Sequence, residues 1–462
     1  MNLLPDHYVL SARRAFTATG DTVIDDAYVE IRHDRIVSVG TRSDYRGDPR
    51  LPVYDYGDAT ILPGLIDTHC HITLSGDGKA YEEQVRDSDE LMALIAVNNL
   101  QRHLSAGVTT LRDNGGRNTI VFAVRDAIDR GFIDGPRLLL AGRPITHSAG
   151  HFHWCNGVAD SLDRIRAAVR VLTAEGADHI KIMASGGATA GNSPYYSSYT
   201  IREMQVAVET AHGLGRLTTA HCRSTTSIEN AIDAGLDCIE HADFLVPGEP
   251  VSFGQGITGH GRMVYDGRVA DKMLRAGSFV SYTALVGGYE TMRMLRTKNA
   301  ETAALTGYER AKLAELEAYI DMRGQVFGSM LSDGFEGRIT LSTDAGPQDM
   351  GFGTLQHCVE FAVSAGMAPT HAIKAVTSVA ARACGVAADV GTLEAGKLAD
   401  IMVAPGDAVR DVSKLETPSA VYQGGRLVAP YVVDSGVHRR AVDFTERLTH
   451  HAPPRDWPAD QC

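Results

Sequence analysis

The chain has no apolar run approaching the ~20 residues of a membrane-spanning helix, and no surplus of positive charge. Its 44 Lys and Arg stand against 57 Asp and Glu, a formal net charge of −13, which opposes non-specific nucleic-acid binding and favours solubility. Seven scattered cysteines, an odd number, do not describe a disulfide framework. The opening stretch Met1-Asn2-Leu3-Leu4-Pro5-Asp6-His7 lacks the basic and then apolar character of a secretory signal. There is no low-complexity tract, and no internal repeat beyond a strand–helix unit. These absences lead us to expect a cytoplasmic protein that meets a small molecule rather than nucleic acid or a membrane. What is present is length and apolar content: 462 residues, 44% hydrophobic, enough for an α/β barrel with an appendage.

The alternation of residues reads as β structure at both ends. Residues 28–32 and 35–40 flank a polar turn containing His33 and Asp34, a hairpin pattern. Residues 399–404 and 420–428 form a matching β-rich piece. Between them, short apolar strands alternate with longer helical stretches such as 162–175, 201–214 and 227–234, the signature of a parallel sheet with crossover helices. Eight strands are expected, ending near His71, Asp113, Gly142, Ser185, Cys222, Asp243, Thr283 and Asp344. The predicted fold class is therefore α/β: a distorted (β/α)8 TIM barrel over 61–389. A small β-sandwich joins 1–60 to 390–440, and an irregular tail occupies 441–462. Two stretches exceed plain connections. Glycine-rich 247–267 is expected as a lid over the mouth, and charged, helical 301–331 as packing outside the barrel.

Chemistry concentrates at the strand ends, where barrels of this kind carry their sites. The apolar approach 61–66 leads to Ile66-Asp67-Thr68-His69-Cys70-His71. Residues two apart on a strand share a face, so His69 and His71 can offer two nitrogens to one divalent metal. Two polar residues leaving a strand would give the same spacing. Lys181, between Ile180 and Ile182, must point inward, and burying its charge is costly unless it is paired or neutralised. A carbamate formed with carbon dioxide is one solution, and an ion pair with a barrel acid is the other. His221 and His241 end two further strands, and either alone could be a hydrogen-bonded core residue. Asp344 precedes Ala345-Gly346 and could equally cap a helix. Six such residues at five strand ends make a specific constellation.

This constellation resembles the amidohydrolase superfamily. The resemblance is narrower still to its branch with imidazolonepropionase-like enzymes, Xaa-Pro and Xaa-Arg dipeptidases and ochratoxin amidohydrolase. It runs from Thr60-Ile61-Leu62-Pro63-Gly64-Leu65-Ile66-Asp67-Thr68-His69-Cys70-His71 through Ala365-Gly366-Met367-Ala368-Pro369 to Gly391-Thr392-Leu393-Glu394-Ala395-Gly396-Lys397-Leu398-Ala399-Asp400. By that resemblance His69, His71, carbamylated Lys181 and Asp344 would hold a buried divalent ion. Lys181, His221 and His241 would hold a second, with zinc the expected metal and a homo-oligomer common. A metal-bridging hydroxide would attack an amide-type C–N bond in a peptide, N-acyl amino acid, aryl amide, urea or carbamate. Asp344 would carry its proton to the leaving amine.

Further residues follow. Gly150-His151 partly matches a loop of the family, which assigns His151 to substrate or oxyanion contact; His147 and His153 lie beside it. Of Tyr195, Tyr196 and Tyr199, Tyr199 is the expected oxyanion contact and Tyr196 a substrate contact, with packing the alternative for each. Arg223 could grip a substrate carboxylate with its planar fork, or sit in a surface salt bridge. Cys70 and Cys222 alternate away from the ligands and are expected to pack. A mononuclear deaminase or cyclic-amide hydrolase is the alternative function. Many deaminases carry glutamate where this chain has Ser224, and Lys181 has no part in such a site.

Overall fold

The computed structural model describes residues 4–79, 81–253 and 257–429; the expected tail at 441–462 and the end of the 390–440 segment lie outside them. Eight strands run parallel in two sheets. Leu65–Cys70, Val108–Asp113 and Arg137–Leu140 form one. His179–Met183, Leu217–Ser224, Cys238–Phe253, Phe279–Tyr282 and Ile339–Leu341 form the other. Bridges Ile145–Ile182 and Cys70–Ala345 join the two sheets at both edges. Asp344 N donates to His69 O at 2.8 Å, and Ile145 N to Lys181 O at 2.8 Å.

Helices cover the strands, and three of them are started by side-chain caps visible in the sequence. Thr200 and Glu203 make a reciprocal capping box for Ile201–Gly213, while Ser161 and Ser224 cap Leu162–Ala174 and Thr225–Ala234. Their apolar faces and those of the strands share one large core that includes Ile180, Ile182, Ala220, Ile239, Val280 and Leu341. A second core, with Tyr8, Val29, Ile31, Ile61, Val403 and Tyr422, lies in an eight-stranded sheet built from both ends of the described chain. In it His7–Phe16 pairs with Val23–Arg32, and Ala59–Pro63 pairs antiparallel with Ile401–Pro405.

Three expectations change. The apolar approach 61–66 is not one strand: Ala59–Pro63 belongs to the chain-end sheet and Leu65–Cys70 to the parallel set. Gly64 separates them, and a Cβ there would collide with the Thr109 side chain. The 247–267 stretch, expected as a lid, is largely strand in its described part. Cys238–Phe253 runs on past the sheet and pairs antiparallel with Ile257–Met263 as a two-stranded ribbon, and 254–256 lie outside the described residues. The charged 301–331 stretch does not merely pack outside. Helix Gly307–Ser332 buries Tyr319 and Arg323 against the strand ends.

Asp67, fully buried, ties two of these strand ends together. Its Oδ1 accepts from the backbone N–H groups of His69 at 3.1 Å and Thr343 at 3.2 Å. Its Oδ2 accepts from Thr343 Oγ1 at 2.6 Å and faces His103 Nε2 at 3.1 Å. His103 Nδ1 accepts from Gly353 N at 2.7 Å, so the ring proton sits on Nε2 and is donated to Asp67. Asp67→Ala strands several buried donors, each worth ~1–3 kcal/mol when unsatisfied. Urea unfolding should register a loss of at least ~3 kcal/mol; a loss below ~1 kcal/mol would mean that water replaces the carboxylate.

Candidate metal centre

The first parallel strand delivers His69 and His71 to the same side, as its alternation requires. Both rings are buried, and their partners define which nitrogen is free. His71 Nδ1 faces the carbonyl of Gly115 at 2.9 Å, and His69 Nδ1 lies 2.9 Å from Glu240 Oε2. The Gly115 carbonyl holds a proton on His71 Nδ1, and the Glu240 carboxylate, in close contact with His69 Nδ1 though not aligned as a hydrogen bond, attracts one there, so both Nε2 atoms present lone pairs. Those lone pairs converge on Asp344 Oδ1, at 3.4 Å from His69 and 3.5 Å from His71. Ligand atoms of His69, His241 and Asp344 lie within 4.8 Å of one another.

A second pair stands beside them. His221 Nε2 faces the carbonyl of Gly186 at 3.1 Å, which turns its Nδ1 lone pair toward His241 Nε2, 2.8 Å away. Thr283 Oγ1 lies 2.7 Å from His241 Nδ1. On the strand next to that of His221 lies Lys181, 1% exposed, whose Nζ has no hydrogen-bond partner among the described residues. The expected alternative of a direct ion pair at Lys181 is therefore not what the structure shows.

The electrostatics follow from burial. Desolvation holds His71, His221, His241 and His151 well below the usual imidazole range, with neighbouring charges adding to it. They are neutral, as ligands to a metal must be. Desolvation also lowers the Lys181 ammonium and raises the Asp344 carboxyl. Glu240 goes the other way: burial alone would push it up, but Arg112, Lys181 and His69 outweigh that and hold it well below the carboxylate range. The buried Lys181 amine has no hydrogen-bond partner among the described residues, and the Asp344 oxygen faces two imidazole lone pairs without a donor between them. A cation among these atoms takes up the free lone pairs, so the donor set fits divalent metal ions.

Holding these side chains there strains the backbone. His241, Ala242 and Asp344 all take left-handed φ values, +70°, +53° and +53°, at a cost of about 1–3 kcal/mol each. The turn at His241 also breaks strand alternation, so that the adjacent Glu240 and His241 side chains both reach His69 and its neighbours.

The cavity above this cluster is lined by His71, His151, Phe152, His221, Arg223, His241, Asp344 and Gln348. His151 is held by Thr189 Oγ1 at 2.8 Å, its ring 4.6 Å from that of His221. Arg223 is no surface residue: it is buried, with Nη1 on Asp243 Oδ2 at 2.8 Å. The other Asp243 oxygen takes Arg323 Nη2, also at 2.8 Å. One carboxylate thus serves two guanidiniums, of which Arg223 lines the cavity.

The tyrosine expectations are corrected. Tyr199 packs in the main core and donates its hydroxyl to the carbonyl of Ala159 at 3.0 Å, and Tyr196 is 62% exposed; neither lines the cavity. His147 and His153 are bound locally, to Ser148 O and Gly150 O, and likewise stand off it. Cys70 and Cys222 are buried beside ligands, with Cys222 Sγ on the carbonyl of Ser227 at 3.5 Å. Ser224, at the deaminase glutamate position, is occupied as a helix cap. Sequence reasoning missed Glu240, Arg112, Asp243 and Arg323. For Arg112 and Glu240 the available signal was the one used for Lys181, a charged residue inside a buried strand that needs a partner; Arg323, on a helix, gave none.

Comparison with known proteins places this geometry in context. The chain is 26% identical over 400 residues to the ochratoxinase of Aspergillus niger, covering 79% of this chain and 75% of that protein. A Xaa-Pro dipeptidase crystallised with methionine in its active site superposes with a TM-score of 0.74 at 25% identity, covering 91% of this chain and 99% of that one. Phenylurea hydrolase B shares the fold, with a TM-score of 0.71 at 22% identity over 91% of this chain and 96% of its own. The family model described as the amidohydrolase family matches residues 60–428, nearly the whole described chain, and the protein belongs to that family of C–N bond hydrolases.

Proposed function

We propose that the protein hydrolyses an amide-type C–N bond of a small molecule that carries a carboxylate, such as a peptide or N-acyl amino acid. The observation that carries this reading is the convergence of the His69 and His71 Nε2 lone pairs on Asp344 Oδ1, beside the unpartnered Lys181 Nζ. His69, His71, Lys181 and Asp344 would hold one divalent ion, and Lys181, His221 and His241 the other. Lys181 would act as a carbamate, since an anion with two oxygens can bridge and a bare ammonium would repel both ions. When bound, zinc or a similar ion polarises a carbonyl and acidifies water. Asp344 would take a proton from that water at its carboxylate and release it to the departing amine. The carboxyl's raised affinity for protons suits it to both halves of that transfer. His151 would touch the carbonyl oxygen of the substrate from the cavity wall. Arg223, with Arg323 behind the same Asp243, would meet the substrate carboxylate with its positive charge. The methionine in the dipeptidase site and the ochratoxinase relationship favour the same substrate class.

The same reading extends to the architecture. The two edge bridges support a closed, distorted (β/α)8 barrel over 61–389, with 1–60 and 390–440 composing the β-sandwich. Among the described residues no helix is long and apolar enough to cross a membrane.

Three measurements test the chemistry. Protein purified without chelator should carry about two divalent ions per chain. Saturation at one ion with full activity would end the two-metal reading. Lys181→Ala should lose metal and most activity, and small carboxylates such as acetate or propionate should partly restore both; rescue by amines instead would refute the carbamate. Asp344→Asn keeps the size and one acceptor oxygen but cannot accept the proton. It should remain folded and metal-loaded while kcat drops ~10²–10⁴-fold, the usual share of general acid–base catalysis. Near wild-type kcat in that variant would assign the proton transfer to another group.

A further inference from the structure

Beneath the ligands lies a buried ion pair to which the proposed chemistry gives no part. Glu240 is fully buried, with Oε1 accepting from Arg112 Nη2 at 2.8 Å and Oε2 standing 2.9 Å from His69 Nδ1. Arg112, itself 2% exposed, also donates from Nε to the carbonyl of Thr68 at 2.7 Å, the residue before His69. One guanidinium therefore fixes both the backbone that carries His69 and the carboxylate that faces its ring.

We propose that Glu240 is a positioning residue that sets the tautomer of His69, with Arg112 holding the carboxylate in register. This inference rests on the metal reading above. A carboxylate oxygen at 2.9 Å repels a nitrogen lone pair and attracts an N–H, so it draws the imidazole proton to Nδ1. The proton is thereby kept off Nε2, the atom that points at Asp344 Oδ1. A carboxylate behind a histidine ligand orients the ring and raises its basicity, and losing such a partner typically costs 10–100-fold in metal affinity. Arg112 makes the arrangement directional. Because Arg112 only donates, whatever occupies position 240 must turn an acceptor toward it.

Glu240→Gln exploits that direction. The amide oxygen will turn to Arg112, which leaves the NH2 group facing His69 Nδ1. Two donors cannot share that contact, so the His69 proton moves to Nε2 and blocks the ligand atom. The variant keeps the volume of Glu240, and circular dichroism and the thermal midpoint should report a folded protein. Chelator competition should show at least a tenfold weaker hold on one metal ion per chain. In the double variant Arg112→Met with Glu240→Gln the amide is free to flip its oxygen toward His69, and part of the metal affinity should return.

The tautomer itself can be read without metal or activity. Long-range 1H–15N spectra of metal-stripped, histidine-labelled protein, assigned with His69→Gln, should place the His69 proton on Nδ1 in the wild type and on Nε2 in Glu240→Gln. A wild-type proton on Nε2, or unchanged metal affinity and tautomer in the folded single variant, overturns the proposal. A wild-type protein that binds no metal but keeps the Nδ1 proton would overturn the metal reading and leave the role of Glu240 at His69 supported.

Discussion

The convergence of four imidazoles and one carboxylate in a buried centre is the constraint on which the rest of this structure depends. Two imidazole Nε2 atoms face one carboxylate oxygen, and two further imidazole nitrogens stand 2.8 Å apart. Such a cluster costs energy in a protein without cations. Everything around it serves to keep it assembled: the Asp67 clamp, the carbonyls of Gly115 and Gly186, the Glu240–Arg112 pair and left-handed turns at two ligands. Strain of that kind persists only where surrounding structure over-determines it. Here the surroundings are parallel strands whose ends are hydrogen-bonded to their neighbours.

The parallel strands and the metal-type residues were legible in the chain because each rests on a short-range rule. Alternation puts His69 and His71 on one face whatever the rest of the fold does. A lysine between isoleucines on a central strand has no solvent to reach, so Lys181 had to be inside. Helix starts at Ser161, Thr200 and Ser224 were equally local, since a hydroxyl cap acts within its own turn. The ribbon at 238–263 was harder. Its glycines read as loop punctuation, but backbone pairing across the turn, from Leu245–Met263 outward, depends on a partner strand rather than on residue type.

The missed residues share a different cause. Arg323 is one charge among many on helix Gly307–Ser332, and the sequence periodicity gives no reason to distinguish it from the exposed ones. Its burial is decided by Asp243, some eighty residues earlier, which already holds Arg223. Tyr199 shows the converse. A tyrosine on a loop at the mouth of the strands could face the cavity, but the carbonyl of Ala159 offers its hydroxyl a buried partner at 3.0 Å, and the ring follows. Long-range hydrogen bonds, not local propensity, settled both.

Glu240 was hidden by the very rule that revealed His69. Alternation assigns Glu240 and His241 to opposite faces, so recognising His241 as a site residue sends Glu240 away. The left-handed turn at His241 cancels that rule for one residue, and both side chains then reach the same centre. The backbone cost falls where it gains the most, since one strand end supplies a candidate ligand to one ion and a partner to a ligand of the other. Arg112 completes the arrangement from the other parallel sheet: it satisfies Glu240 and the carbonyl of Thr68 together, so that ring orientation and strand position at His69 are fixed by one side chain. A buried ion pair is weak as a source of stability, because desolvation offsets its attraction. At this position its value lies in direction, holding one acceptor toward one imidazole nitrogen.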